Sequence, residues 1–227
     1  MYIGHFAIAV LAHALLRDVH ALPLLLGTSF LDLLDGLLAF PGVTQVRANA
    51  NAGPYLFYDL IFIDWDHSLS AAAFWSLVCL PLCLAAGYEQ RTALATAAVC
   101  LSHWLADWPM HNHDLALYPH SERHFGGALW SRLGTWSWIL EGLLSALCLI
   151  FAARQRQMSK WVPVTFAVLF LQLSPWAAPT QFAASLSGNA ASRLYGVLIV
   201  LGFIGPSLLL AKLLGDTPEP SAKQKSS

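Results

Sequence analysis

Long apolar runs separated by short polar punctuation make up most of the chain, and their length predicts membrane-spanning helices. Seven segments carry the pattern: 2–16, 21–40, 58–87, 92–108, 131–153, 161–178 and 194–214. Pro41-Gly42 ends the second segment and Pro109 the fourth, because proline cannot continue a helical hydrogen-bond ladder. A polar loop with Asn49, Asn51, Gly53 and Pro54 follows the second segment, and a longer loop from His111 to Trp130 follows the fourth. Residues 1–215 read as one transmembrane helical domain. Residues 216–227, rich in Pro, Ser and Lys, read as a disordered tail. The expected fold is all-α, a polytopic transmembrane bundle of six to seven helices.

Composition supports that class. Of 227 residues, 57% are hydrophobic and 11% charged, against roughly 25% charged in soluble domains. A net charge of −1 with no basic patch argues against nucleic acid as a partner. Cys79, Cys83, Cys100 and Cys148 all lie inside apolar runs without a CxxC spacing, and read as packing residues. No Lys or Arg precedes the first apolar run, so the first helix is expected to be retained rather than cleaved as a signal peptide. The distribution of basic residues, strongest at Arg154, Arg156 and Lys160, puts the N-terminus outside. The expected location is the inner (cytoplasmic) membrane, with membrane lipids as surroundings.

Ionisable residues inside the apolar segments then gather at one depth, near the outer face. His5 begins the first segment, and Asp32 and Asp35 share a face of the second at i,i+3. Asp64, Asp66 and His67 lie early in the third, and His103 and Asp107 end the fourth at i,i+4. A carboxylate among apolar helices is costly unless it is paired, solvated or bound to a cation. A divalent metal would stabilise several carboxylates at once, and neutral imidazoles would complete its shell. The mixed nitrogen and oxygen set suits Zn²⁺ first, with Mn²⁺ or Fe²⁺ as alternatives. The candidate ligands are His5, Asp32, Asp35, His67, His103 and Asp107.

Three further residues are candidates for catalysis. His111 and Asp114, on the long loop, are placed to orient a substrate or shuttle protons, with the loop as a lid. Glu141 lies deeper in the fifth segment, as a partner for a ligating histidine or as a proton acceptor. Plainer readings stand beside these. Asp64 and Asp66 fit solvated helix ends, His120 and His124 fit a solvated loop, and His13 fits a packed helix position.

The ordered motifs resemble a family of bacterial integral membrane proteins of uncharacterised activity, similar to membrane-bound metal-dependent hydrolases and distantly to zinc-dependent phospholipase C. The matching pieces are Gly4-His5, Phe30-Leu31-Asp32-Leu33, His67-Ser68-Leu69 and Ser102-His103-Trp104-Leu105-Ala106-Asp107. His111, Asp114 through Pro119, Gly127 through Trp130 and Leu140-Glu141 complete the series, which covers about residues 1–154. In the wider hydrolase pattern a Pro stands where this chain has Leu31, a His at the position of Phe62, and a Thr at that of Asp66. The resemblance implies metal binding, and a site at the membrane interface makes hydrolysis of a lipid ester or phosphodiester at the non-cytoplasmic face the expected activity. Two other readings of the same residues are a permease or ion-coupled transporter component using Glu141, and a structural membrane protein locked by a buried polar network.

Overall fold

The computed structural model describes residues 1–186 and 189–215, so the segment 216–227 expected to be a disordered tail lies outside the described residues. In chain order the elements are α1 (Ile3–Leu15), α2 (Ala21–Ala39), β1 (Gln45–Ala48), β2 (Tyr58–Phe62), α3 (Asp64–His67), α4 (Leu69–Ala85) and α5 (Gln90–Met110). Then follow β3 (Leu115–Ala116), β4 (His124–Phe125), α6 (Leu129–Leu133), α7 (Thr135–Gln155), α8 (Trp161–Gln172), α9 (Pro179–Ala184) and α10 (Asn189–Leu214). Helix dominates, as the apolar runs predict.

Three helices, α2, α7 and α10, are long and apolar enough to cross a membrane. The helices α1, α4 and α8 are apolar but shorter. Helix α5 is as long as α7, at 21 residues, but carries Gln90, Arg91, His103 and Asp107. Large apolar side chains on helix surfaces remain uncovered, among them Leu77 at 70% exposure, Leu201 at 63% and Leu171 at 62%. Apolar surface on that scale suits lipid rather than water.

Two of the expected segments change. Residues 58–67 do not begin a helix: Tyr58–Phe62 forms β2, antiparallel to β1, and α3 is a separate single turn. The run Tyr58-Asp59-Leu60-Ile61-Phe62-Ile63 is short, apolar and aromatic, and such a run reads equally well as strand or helix. The helix proper starts after Ser68, whose side chain accepts from Ala71 N at 3.2 Å. The fifth segment is also divided: α6 ends at Gly134, with φ +51°, and α7 begins beyond it. Helix α5 continues through Pro109 to Met110, one turn short of the strands of the long loop.

Packing sets the relative heights of the helices. Helices α2 and α10 cross at Gly36 and Gly196, where a Cβ on Gly36 would lie 2.9 Å from the Gly196 carbonyl. Only glycine permits that approach. Ser29 and Ser207 meet at 3.2 Å further along, so α10 runs antiparallel to α2. On the other side of α2, Gly27 lies against Thr96 and the Thr28 carbonyl against His103, so α2 and α5 run parallel. The start of α1 and the ends of α2 and α5 therefore come together at one end of the bundle. The β1–β2 hairpin, the 111–134 segment and α9 cover that end, with Thr180 Oγ1 donating to the Tyr55 carbonyl at 2.7 Å.

Candidate metal centre

Helix geometry delivers the donors. His103 and Asp107, one turn apart on α5, face α2, and their side chains meet: Nε2 of His103 lies 2.9 Å from Asp107 Oδ2. Asp32 comes from α2, with Oδ2 3.5 Å from the same nitrogen. His67 ends the single turn α3, and its Nε2 lies 3.3 Å from His103 Nε2, 3.6 Å from Asp32 Oδ1 and 3.7 Å from Asp107 Oδ2. His5, in the first turn of α1, stacks its ring on that of His103 at 3.7 Å and approaches Asp107 Oδ1 to 3.1 Å. The Met1 amino group also contacts Asp107 Oδ1. Two donor groups that can hold an ion result, His5 with His103 and Asp107, and Asp32 with His67 and His103.

The spacing matches coordination. Ligands about 2.1 Å from a tetrahedral ion are separated from one another by roughly 3.4 Å. The five measured separations among Asp32, His67, His103 and Asp107 run from 2.9 to 3.7 Å.

Proton positions support the same reading. His103 Nδ1 lies 2.6 Å from the Thr28 carbonyl, which can only accept, so this nitrogen carries the proton and Nε2 of the neutral ring is bare. His67 Nδ1 lies 2.6 Å from Asp66 Oδ2, and an ionised Asp66 holds the proton on that nitrogen. With both rings neutral and protonated at Nδ1, two Nε2 lone pairs face each other at 3.3 Å beside two carboxylates. Asp32 Oδ2 and Asp107 Oδ2 are buried and lack a hydrogen-bond partner among the described residues. A cation at the centre of these atoms removes both the lone-pair repulsion and the unpaired acceptors. A carbonyl or carboxylate behind each ligating ring is the usual support of a metal-bound histidine.

The other expected site residues divide. His111 joins the edge of the cluster, with Nε2 3.6 Å from Asp107 Oδ2, and Asp114 holds its Nδ1 at 3.0 Å. Asp35 stands outside both donor groups. Its Oδ2 accepts from Tyr195 of α10 at 2.6 Å, one turn beyond Asp32. Glu141 is buried elsewhere: Oε1 accepts from Tyr2 N at 2.5 Å and Gly4 N at 3.1 Å, and Oε2 from the Tyr55 hydroxyl at 2.5 Å. It thereby caps the first turn of α1, where free N–H groups favour an anion. Burial, and then the Glu141 carboxylate, push the Tyr55 phenol well above the usual tyrosine range, so Tyr55 remains the donor in this pair.

Asp64 and Asp66, expected as solvated helix ends, are buried. Asp64 Oδ2 accepts from His120 N at 2.8 Å, and Oδ1 lies 3.3 Å from His124 Nε2, which ties α3 to the long loop. Asp66 is the residue that sequence reasoning missed. Its one signal was position, immediately before His67.

No protein family, curated protein or solved structure matches the chain, so its function has to be read from this geometry.

Proposed function

We propose that the chain is a multi-pass inner-membrane protein of six to seven membrane helices that holds a divalent ion and hydrolyses a lipid ester or phosphodiester at its non-cytoplasmic face. The ion, Zn²⁺ before Mn²⁺ or Fe²⁺, sits among Asp32, His67, His103 and Asp107, with His5 against Asp107. One observation carries the reading: the Nε2 atoms of His67 and His103 lie 3.3 Å apart between two carboxylates with unpaired oxygens. The resemblance to membrane-bound metal-dependent hydrolases, carried by the Ser102–Asp107 and His67–Leu69 motifs, supports the same assignment.

A divalent ion in such a site supplies Lewis acidity toward water and toward an ester or phosphoryl oxygen. The chain's own groups do the rest. Asp66 and the Thr28 carbonyl hold the His67 and His103 rings in the ligating tautomer. His111, backed by Asp114 and open to the cavity beside the cluster, is the group placed to take and return a proton near the ion.

Purified protein should contain stoichiometric divalent metal by elemental analysis, and a chelator should lower its melting temperature. Incubation with lipid esters and phosphodiesters should release products only from metal-loaded protein. Metal-free wild-type protein, unresponsive to added Zn²⁺, Mn²⁺ or Fe²⁺, would sink the assignment.

A further inference from the structure

A cavity of about 450 Å³ adjoins the cluster, within the usual size of a small-molecule site. Asp32, Asp35, His67 and His111 form its polar wall. Along α10 it is lined by Tyr195, Ile199, Gly202, Phe203, Pro206 and Leu209, which recur every three or four residues and so form one face of that helix. The lined stretch of α10 is about 21 Å long at 1.5 Å per residue. Leu169 and Leu173, from α8 and just beyond it, close the opposite wall, and the outward-facing Leu201 and Leu209 mark where the slot meets the lipid-facing surface. The site is long and mostly apolar, with its ionisable side chains on the wall that carries the donors and the neutral Tyr2 and Gln172 along its length.

A second, polar pocket of about 180 Å³ lies on the covered end of the bundle, bordered by Asp59, Asn112, His113 and Asp114. It shares Leu56, Leu60 and Trp130 with the slot. An apolar slot with the donors on its wall therefore borders a polar pocket, which suits an amphiphile's tail on one side and its headgroup on the other.

A waist crosses the slot. Pro206 has no N–H, so the Gly202 carbonyl loses its helical donor. The Tyr2 hydroxyl supplies one at 3.1 Å, and Gln172 Nε2 donates to Tyr2 at 3.2 Å. A Cβ on Gly202 would sit 3.9 Å from the Tyr2 ring, in ordinary contact, so the absence of a side chain there keeps the slot open.

We propose that this slot takes one acyl chain of a lipid, entering from the bilayer between α8 and α10, with the scissile linkage at Asp32, His67 and His111 and the headgroup in the polar pocket. The proposal deepens the hydrolase reading and rests on it for the position of the linkage.

The test uses full-length protein in lipid nanodiscs and a monoacyl glycerophosphocholine bearing a diazirine at the end of its chain. After irradiation, peptide mapping should place the label on Leu169, Leu173 or Phe203, inside the slot. Gly202→Leu, which fills the waist, should reduce that labelling by more than about tenfold, since several methylenes lose their burial. Gly202→Ala should keep it, and both variants should keep wild-type metal content, which shows that they fold. Label confined to outward-facing Leu171, Phe182 and Leu208, which do not line the slot, or equal slot labelling in Gly202→Leu, overturns the proposal. Slot labelling of a protein that binds no metal leaves the chain site standing and removes the hydrolytic reading.

Discussion

Asp107 and Glu141 are both buried carboxylates on long helices, and both reach the first turn of α1, yet their surroundings differ in kind. Three donors, two backbone N–H groups and a phenol, converge on Glu141 and use both of its oxygens. Around Asp107 Oδ2 stand the Nε2 atoms of His67, His103 and His111, and His103, whose Nδ1 faces the Thr28 carbonyl, turns a lone pair toward it when neutral. A buried carboxylate with matched donors on both oxygens holds a fold together. Asp107 has the Met1 amino group on Oδ1 alone, and its Oδ2, without a hydrogen-bond partner among the described residues, is the oxygen left to a further cation. The default that ionisable groups within a membrane are functional does not separate these cases, whereas counting donors against acceptors does.

The largest effect expected from that contrast is at His103, which belongs to both donor groups. His103→Ala should lower metal affinity by more than ~100-fold, beyond the cost of losing an outer partner. In wild-type protein, metal at a hundredfold excess over its Kd should add about 2.7 kcal/mol of stability, and this increment should vanish in the variant. Thermal unfolding with and without chelator measures both. An unchanged chelator shift in His103→Ala would place Asp107 in the same class as Glu141.

Next comes the support behind the rings. Asp66→Asn weakens the acceptor on His67 Nδ1 and should cost about 10–100-fold in metal affinity. Asp114→Asn acts on His111, which reaches only the edge of the cluster at 3.6 Å, so its effect should fall below about tenfold. Competition titration against a chelator of known affinity ranks the two. Equal losses would move His111 into the ligand set.

Much of the helical frame was legible, and so was the gathering of His5, Asp32, His67, His103 and Asp107 into groups that can hold an ion, because helix periodicity puts Asp107 one turn after His103 and marks the polar positions within apolar segments. Asp35 was misplaced by the same rule. A residue at i+3 is rotated about 60° from its partner at 3.6 residues per turn, enough here to turn Asp35 toward Tyr195 while Asp32 faces His103. Glu141 was expected as a partner for a ligating histidine or as a proton acceptor, whereas it accepts from Tyr2 N and Gly4 N at the start of α1, 139 and 137 residues away, and no local pattern encodes those partners. Asp66 and the β1–β2 hairpin were hidden for a related reason. A short apolar run does not declare strand or helix, and reading it as helix left Asp66 at an exposed helix entry rather than behind His67.

The smallest effect on metal is expected at Glu141, and it is the sharpest check of the comparison. Glu141→Gln keeps the size of the side chain but replaces one accepting oxygen with an N–H₂ group that faces either the Tyr55 hydroxyl or the Tyr2 and Gly4 N–H groups. A charged acceptor for several buried donors becomes a neutral one with a donor clash. Stability should drop by roughly 1.5–3 kcal/mol, the usual worth of a hydrogen bond to a charged group. Metal content and the chelator-dependent shift should stay at wild-type values, because neither donor group includes residue 141. Tyr55→Phe should reproduce part of the stability loss, since it removes one of the three donors while the α1 cap remains. Loss of metal in Glu141→Gln, with folding intact, would show that the capped first turn of α1 positions His5 for the ion and that the two carboxylate centres act as one.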